Sequence, residues 1–338
     1  MKKVLVTGGA GYIGSHTVVE LLQSNYEVIS VDNYANSDPA VYDGIEQICG
    51  HSPKIEEADC TDPKAMRLLF QTYRPIDAII HFAAAKAIGE SIVQPLHYYR
   101  NNLDSLLTLL ELMQEFDLHN IVFSSSCSVY GQAQSLPVTE ESPLIPATSP
   151  YGNTKQICEE IIRDTVAAIS IKAISLRYFN PIGAHPSALI GELPRGVPQN
   201  IVPVMTQTAI GKRAQLQIFG NDYHTPDGTC IRDYIYVVDL AKAHVAAVAR
   251  MLQGKENPPY EVFNLGTGAG RSVWALVQAF EQVIGKPLPY TVAERRAGDV
   301  EQIWADPSKA NRELHWKADT PLQTILQSAW AWEQRLCV

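Results

Sequence analysis

A tyrosine and a lysine four residues apart, Tyr151 and Lys155, could carry out acid–base chemistry. If residues 151–155 open a helix, the two side chains share one face of it. A free tyrosine has a pKa of about 10 and is a poor base at neutral pH. A nearby ammonium and a cationic cofactor ring both favour the phenolate, and a pKa of about 7 requires roughly 4 kcal/mol of such help. An ordinary helix surface explains the pair equally well, so its meaning depends on the elements around it.

The first of these elements is a glycine cluster near the start of the chain. Gly8, Gly11 and Gly14 follow an apolar, strand-like run and precede a helical pattern. This order is typical of a turn whose amide groups bind a pyrophosphate at a helix N-terminus, although such joints also use glycine for turn geometry alone. The next strand ends at Asp32, 18 residues after Gly14, close to the roughly 20 expected of the acid that holds an adenosine ribose. A carboxylate there repels a 2′-phosphate, which favours NAD over NADP.

The second element is a run of serines, residues 124–126, after the apolar residues 121–123. It places hydroxyl groups at the carboxyl end of a strand, where open α/β sheets bind their ligands, although a polar turn is the simpler explanation.

Strand-like and helical segments alternate along the chain, which predicts an α/β fold with a doubly wound parallel sheet of the Rossmann type. We expect residues 1–180 to form an NAD-binding domain to which about 232–265 return, and residues 181–338 to form mainly a smaller α/β substrate-binding part.

Composition narrows the possible functions. The chain has 338 residues and a net charge of −9, which argues against binding to nucleic acid or to membrane surfaces. Its six cysteines include no C-x-x-C pair, which indicates reduced thiols in a cytoplasmic protein without a metal site. The chain enters a strand by Val4, so we expect no signal peptide, and no apolar run reaches the length of a membrane span.

Leucines around more than one side of the helical segment 101–116 predict a homodimer through long apolar helices.

Taken together, these features resemble the extended short-chain dehydrogenase/reductase family, and within it the branch that epimerises UDP-sugars at C4. The matching stretches cover essentially the whole chain: 4–16, 81–91, 123–131, 149–155, 177–186, 218–223, 232–235, 264–268 and 295–306. The resemblance implies an NAD-dependent isomerase that interconverts UDP-galactose and UDP-glucose in galactose metabolism.

The resemblance also implies the site residues. Catalysis falls on Tyr151, Lys155 and Ser126. The NAD contacts would be Gly8, Gly11, Tyr12, Ile13, Gly14, Asp32, Asn33, Tyr34, Ala35, Asn36, Ser37, Asp59, Cys60, Phe82, Ala83, Ala84, Ala85, Lys86, Asn101, Ser126, Tyr151, Lys155 and Phe179. The UDP-sugar contacts would be Lys86, Ser126, Tyr151, Asn180, Asn200, Phe219, Arg232, Arg296, Asp299 and Ile303. Two arginines suit a diphosphate, although surface salt bridges would also explain them.

Two other functions fit parts of this pattern. A nucleotide-sugar 4,6-dehydratase would need acid–base carboxylates directly after the hydroxyl of the fifth strand, where this chain has Ser126-Cys127-Ser128. A non-catalytic NAD-sensing module would not need the Tyr151–Lys155 pair.

Three positions depart from the branch's usual pattern. Ile303 is intermediate in size at the sugar pocket, and Ala85 replaces a common leucine, so UDP-N-acetylglucosamine and UDP-glucuronate stay open as substrates. Cys60 replaces an aliphatic residue beside the expected adenine position, where the contact is largely through the backbone.

Overall fold

The computed structural model describes residues 1–253, 257–296 and 298–337. Its helices are α1 Tyr12–Gln23, α2 Val41–Cys49, α3 Pro63–Tyr73, α4 Ile88–Val93, α5 Pro95–Glu115, α6 Pro150–Ala168, α7 Ile201–Ala209, α8 Val237–Leu252, α9 Val273–Ile284, α10 Ser308–Glu313 and α11 Leu322–Arg335. Its strands are β1 Lys3–Thr7, β2 Glu27–Asp32, β3 Lys54–Glu57, β4 Ala78–His81, β5 Asn120–Ser124, β6 Lys172–Tyr178, β7 Asn180–Ile182, β8 Leu216–Phe219, β9 Ile231–Tyr236, β10 Tyr260–Leu265, β11 Gly270–Ser272, β12 Tyr290–Ala293 and β13 Gln302–Ile303.

Seven parallel strands form the central sheet in the order β10-β6-β5-β4-β1-β2-β3. The chain builds outward from β1 through β2 to β3, then crosses back to β4 and builds the other way. The order therefore reverses between β1 and β4, which opens a crevice at the carboxyl ends of these strands. The predicted doubly wound α/β fold is confirmed.

Helices cover both faces of the sheet because its inner strands, such as β1, β4 and β5, are apolar on both sides, whereas the edge strand β3 is largely exposed. One core contains Val18 of α1 and Leu240 of α8, and the other contains Phe70 of α3, Leu106 of α5 and Ile162 of α6. Since α8 packs on α1 and β10 pairs with β6, residues far along the chain complete the large sheet layer.

A smaller layer follows the large one. Strands β11, β9 and β13 form one sheet, β7 also pairs with β9, and β12 pairs with β8. Helices α7, α9 and α11 pack around these strands through a core that includes Met205, Phe280 and Leu326.

Helix α5 corrects one expectation. It is not apolar on all sides: Arg100, Asp104 and Glu111 lie on its exposed face, and its buried leucines are covered within this chain by α3, α6 and the sheet. Only isolated apolar side chains remain exposed on it, such as Leu96 and Leu107 at 82% and 41%. In the ranges 1–253, 257–296 and 298–337, no helix combines the length and the apolar character needed to cross a bilayer.

Candidate active site

The glycine turn between β1 and α1 is shaped by close backbone contacts. Gly8 has a φ of +70°, and a Cβ added to it would lie 2.8 Å from the nitrogen of Ala83. A Cβ on Gly14 would lie 2.1 Å from the carbonyl oxygen of Gly8. A Cβ on Gly11 would meet only that same oxygen, at 3.1 Å. The space beside Gly11 is therefore open where the first turn of α1, with Tyr12 and Ile13, faces the crevice.

Asp32, at the end of β2, joins the glycine turn to the loop that follows. Its carboxylate accepts hydrogen bonds from the amides of Ala10 and Tyr34, both at 3.0 Å, and from the hydroxyl of Ser37 at 2.8 Å. The carboxylate therefore lies at the mouth of the crevice, and residues 33–37 fold around it. This is the geometry expected for an acid that meets a ribose.

The neighbouring strand end carries Asp59 and Cys60. Asp59 accepts hydrogen bonds from the amide and hydroxyl of Thr61 and from the side chain of Asn33, which lies 3.0 Å away. Burial acts to raise the pKa of Asp59, but these hydrogen bonds outweigh it and lower that pKa. Burial raises the pKa of the Cys60 thiol to about 12, so Cys60 contributes an apolar wall here.

The loop after β4, residues 82–86, depends on a residue that the sequence did not single out. Asn102 accepts a hydrogen bond from the amide of Ala85 at 2.8 Å and donates to its carbonyl at 3.0 Å. It also donates to the hydroxyl of Thr154 in α6 at 3.0 Å, whereas Asn101, the predicted residue, donates to the Asn102 side chain. Asn102 thus connects the loop to the helix that carries Tyr151. The Asn-Asn pair in the sequence does not tell which of the two faces inward.

Tyr151, Lys155 and Ser126 meet at the carboxyl end of β5. Ser149 caps α6 by accepting a hydrogen bond from the amide of Gly152, which places Tyr151 in the first turn and Lys155 one turn later. The ammonium of Lys155 donates to the carbonyl of Ser124 at 2.7 Å and lies 5.9 Å from the centre of the Tyr151 ring. All three side chains are buried.

Burial dominates the electrostatics of this cluster. It lowers the pKa of Lys155 to about 8, which leaves the side chain mostly charged at neutral pH. It raises the pKa of Tyr151 well above its ordinary value, an effect that Tyr178 increases and Ser126 opposes. The lowered Tyr151 pKa is expected from Lys155 and a cationic cofactor ring together, and without the ring desolvation dominates. A phenolate requires further positive charge in the crevice.

Residues from separate strands of the smaller layer converge near this cluster. Ile303 on β13 lies opposite Arg232 on β9, and Asn180 on β7 pairs with the same strand. Cys127 is the neighbour of Ser126, and Arg232 lies close enough to the Cys127 thiol to act to lower the pKa of that thiol. Ile303 is only 2% exposed and packs with Phe179, so it forms part of a wall between layers.

Two guanidinium groups share one carboxylate in this layer. Arg296 donates to Asp299 at 3.2 and 3.3 Å and stacks over the ring of Phe219, with 5.3 Å between guanidinium carbon and ring centre. Arg232 lies 3.9 Å from the same carboxylate. The arrangement holds two positive groups side by side, as recognition of a diphosphate requires.

Lys86 and Asn200 are connected through Glu192, another residue that the sequence did not single out. The side-chain amide of Asn200 donates to Glu192 at 2.5 Å. Burial raises the pKa of Glu192, while Lys86 and Asn200 act to lower it, so Lys86 lies within electrostatic reach. Nothing in the surrounding Gly-Glu-Leu-Pro sequence distinguishes this carboxylate from a solvent-exposed one.

Comparison with known proteins decides the family. A family model described as GDP-mannose 4,6 dehydratase matches residues 5–329. The UDP-glucose 4-epimerase of Bacillus subtilis is 49% identical over 331 residues, which cover 98% of this chain and 96% of that protein. The human UDP-glucose 4-epimerase is 48% identical over 341 residues, which cover 99% and 97%. This chain belongs to the UDP-glucose 4-epimerase family.

A solved UDP-glucose 4-epimerase supports the assignment in three dimensions. The enzyme of Bifidobacterium longum, crystallised with NAD⁺ and UDP, matches this fold with a TM-score of 0.95 at 46% identity, over 99% of this chain and 98% of that one. The family resemblance expected from the sequence is therefore confirmed. The Ser126-Cys127-Ser128 sequence, which has no carboxylate, separates this chain from the 4,6-dehydratase chemistry considered above.

Proposed function

We propose that this protein is an NAD-dependent isomerase that interconverts UDP-galactose and UDP-glucose by inverting C4 of the hexose. The observation that carries the proposal is the buried cluster of Ser126, Tyr151 and Lys155 beside the glycine crevice, in a chain of this family. The residues of the crevice would hold NAD, which would supply the hydride acceptor and donor for C4 of the sugar.

The residues of the crevice fit NAD. Its pyrophosphate would lie at the N-terminus of α1, where the space beside Gly11 is open and the positive end of the helix dipole favours an anion. Asp32 would hold the adenosine ribose and disfavour a 2′-phosphate. The loop 33–37, Asp59, Cys60, residues 82–86, Asn101 and Phe179 would complete the cofactor site.

Tyr151 is the acid–base residue of the proposal. It takes the proton of the sugar 4-hydroxyl and gives it back after C4 has inverted. Ser126 hydrogen-bonds the same oxygen, and Lys155 binds the nicotinamide ribose while its charge favours the phenolate. The raised pKa of Tyr151 means that the residue stays protonated, and thus inactive as a base, until positive charge lies beside it.

Arg232 and Arg296 would bind the diphosphate of the substrate, and Asp299 would accept hydrogen bonds from ribose hydroxyls. In the free protein the single charge of Asp299 offsets one of the two arginine charges, which reduces the repulsion between them and leaves one net positive charge for the diphosphate. Lys86, Asn180, Asn200, Phe219 and Ile303 would border the rest of the UDP-sugar. The 4-keto sugar would turn about its diphosphate linkage while these contacts hold the nucleotide.

Alternative substrates follow from the same site. Ile303 packs against Phe179 at the expected sugar pocket and is intermediate in size, so a 4-epimerase for UDP-N-acetylglucosamine or UDP-glucuronate is the second candidate. A non-catalytic NAD-sensing module is the remote alternative, which the Tyr151–Lys155 geometry disfavours.

We also propose the organisation expected from the sequence. Residues 1–180, joined by about 232–265, would bind NAD, and the rest would bind mainly the UDP-sugar; the pairing of β10 with β6 supports this division. The protein would act in the cytoplasm as a homodimer. Sedimentation velocity at two protein concentrations tests the self-association.

The first experiment is proton NMR of the purified protein with UDP-galactose and no added NAD. Appearance of the UDP-glucose anomeric signal supports both the reaction and a retained cofactor. If nothing converts, NAD is added, and UDP-N-acetylglucosamine and UDP-glucuronate are then tried. Conversion of only one of those keeps the chemistry and changes the substrate. No conversion of any substrate by protein with bound NAD overturns the proposal in favour of the sensing module.

The replacement Tyr151→Phe tests the assigned base. We expect turnover to fall by about 100-fold or more, because the proton acceptor is lost, while UDP still binds. Tyr290→Phe, at an exposed tyrosine, is the matched control and should behave as the unchanged protein. Near-normal turnover of Tyr151→Phe would refute the assignment.

A further inference from the structure

A segment of which the proposed reaction uses only the last residue, Asn200, crosses the dinucleotide crevice. We call residues 189–200 the strap. At its first end, Ile190 is fully buried in the core beside Tyr42 and Ile45. The packing there is tight, since a Cβ on Gly44 of α2 would lie 2.5 Å from the carbonyl oxygen of Leu189. The strap therefore starts from a fixed point within the large sheet layer.

Two further contacts, one just after Ile190 and one at the far end, fix the strap to residues of the smaller layer. A Cβ on Gly191 would lie 2.5 Å from the Trp332 ring, whose Nε1 donates to the carbonyl of Glu192 at 2.9 Å. At the far end, the carbonyl of Gln199 accepts a hydrogen bond from Arg296 at 3.2 Å. The strap thus ends at a residue that we assign to the diphosphate.

Between these anchors, one side chain connects the strap to the opposite wall of the crevice. Arg195 Nη1 donates to the carbonyl oxygen of Tyr34 at 2.8 Å. Tyr34 lies in the loop 33–37, and its own amide donates to Asp32. The guanidinium therefore acts on the loop that surrounds the assigned ribose position, although Arg195 is 161 residues away along the chain.

We infer that Arg195 is a positioning residue for the cofactor, which ties the strap to the loop 33–37 and slows release of NAD. The inference rests on the proposed NAD site. Departure of the dinucleotide from beneath this bridge requires the strap and the loop to separate. Separation breaks the bond between Arg195 and Tyr34, while Trp332 and Arg296 keep the strap anchored and Asp32 holds the loop. Arg195 acts through the backbone of Tyr34 and needs no contact with substrate.

The test measures how fast holoenzyme loaded with radiolabelled NAD exchanges its cofactor for unlabelled NAD. For Arg195→Ala we expect release to be about three- to tenfold faster, which corresponds to one lost charge-assisted hydrogen bond at an exposed site. Arg195→Lys, which keeps a cationic donor, should restore part of the slow release. Arg312→Ala removes an exposed arginine paired with Glu313 and serves as the matched control, with release as in the unchanged protein.

A thermal melt of each cofactor-free variant separates positioning from loss of structure. Faster release from Arg195→Ala with an unchanged melting temperature supports the inference. Release at the unchanged rate overturns it, and so does equal acceleration in Arg312→Ala. If the unchanged protein holds no NAD, the proposed function itself fails, which this experiment distinguishes from failure of the bridge alone.

Discussion

At the scale of single residues, Tyr151 and Lys155 have pKa values that burial moves in opposite directions. Desolvation penalises the charged form of each, so it raises the pKa of Tyr151 and lowers that of Lys155. In the free protein at neutral pH, Tyr151 is therefore neutral, whereas Lys155 is still mostly charged but loses its proton a little above neutral pH. Because the proposed chemistry needs the charged form of Lys155, the rate should depend on pH near the pKa of that lysine.

The first prediction concerns this pH dependence. We expect kcat/KM, which reports the free enzyme, to fall as the pH rises above about 8, since the Lys155 ammonium is then lost. In Lys155→Arg the side chain stays charged, so the alkaline fall should disappear even if the activity is lower throughout. A steady-state pH profile from 6 to 10 in both proteins makes the comparison. An identical alkaline limb in the variant would assign the titration to another group.

The second prediction concerns Asn102, whose side chain joins Ala85 to Thr154. Asn102→Ala should lower the free energy of unfolding by about 2–3 kcal/mol, because buried partners on two elements lose their hydrogen bonds. It should also weaken NAD binding, since the loop 82–86 loses its support. Urea unfolding and NAD titration measure the two effects.

Asn120→Ala is the control for this prediction. Asn120 donates one hydrogen bond, to the carbonyl of Asp77, and lies at the other end of the strands. The replacement Asn120→Ala should lower the free energy of unfolding by about 1 kcal/mol and leave NAD binding unchanged. Equal loss of NAD binding in both variants would show that general destabilisation, rather than the loop, controls the cofactor.

At the scale of elements, the turn from β1 to α1 allows the sharpest prediction. In Gly14→Ala the new methyl group would lie 2.1 Å from the carbonyl of Gly8, so the turn must distort. We expect loss of NAD binding and a clearly lower melting temperature. Gly89 lies in the short helix α4, where an added methyl group would have no atom within 4 Å. The control Gly89→Ala should therefore leave the melting temperature unchanged or raise it slightly. Differential scanning fluorimetry with and without NAD compares them, and full NAD binding by Gly14→Ala would contradict the assigned role.

Elements with local signals were predictable from the sequence. Helix α3 begins as its Asp-Pro sequence indicates, with Asp62 accepting a hydrogen bond from the amide of Lys64. Helix α9 has Ser272 at its start and Gly285, with a φ of +69°, just after its end. Such caps are determined by neighbours within a few residues, so one sequence suffices to find them.

Other elements depend on distant partners and were not predictable. Helices α2 and α7 begin without such a local signal. Neither has a side-chain cap at its start, and each is held by burial against the rest of the chain. The same holds for the site: Tyr151 and Lys155 have a local spacing, whereas Glu192, Asn102 and Arg195 gain their roles only from residues that folding brings to them.

At the scale of the whole molecule, three histidines in the large sheet layer should control acid stability. His16, His81 and His244 are almost completely buried. Burial lowers the pKa of His16 and His81 to about 3 and that of His244 to about 4. All three are therefore neutral in the folded protein at pH 5, but they become charged in the unfolded chain below about pH 6.5.

Proton uptake determines how the free energy of unfolding changes with pH. Between about pH 4 and 6.5 the unfolded state binds more protons than the folded state, so the free energy of unfolding falls as the pH decreases. Three such groups give a slope of at most about 4 kcal/mol per pH unit. Carboxyl groups with raised pKa values, such as Asp239, oppose this slope, because the folded protein takes up protons there.

His244 offers a direct test of this pH dependence. Its Nε2, like that of His16, has no hydrogen-bond partner among the described residues. Urea unfolding at pH 7.0, 6.0 and 5.0 should give falling midpoints for the unchanged protein. In His244→Asn one titrating group is gone, so the slope should decrease, by at most about 1.4 kcal/mol per pH unit, whatever the replacement does to stability at pH 7. His51→Gln, at an exposed histidine, should keep the full slope. If midpoints stay constant down to pH 5, or if both variants keep the same slope, the buried histidines do not control acid unfolding.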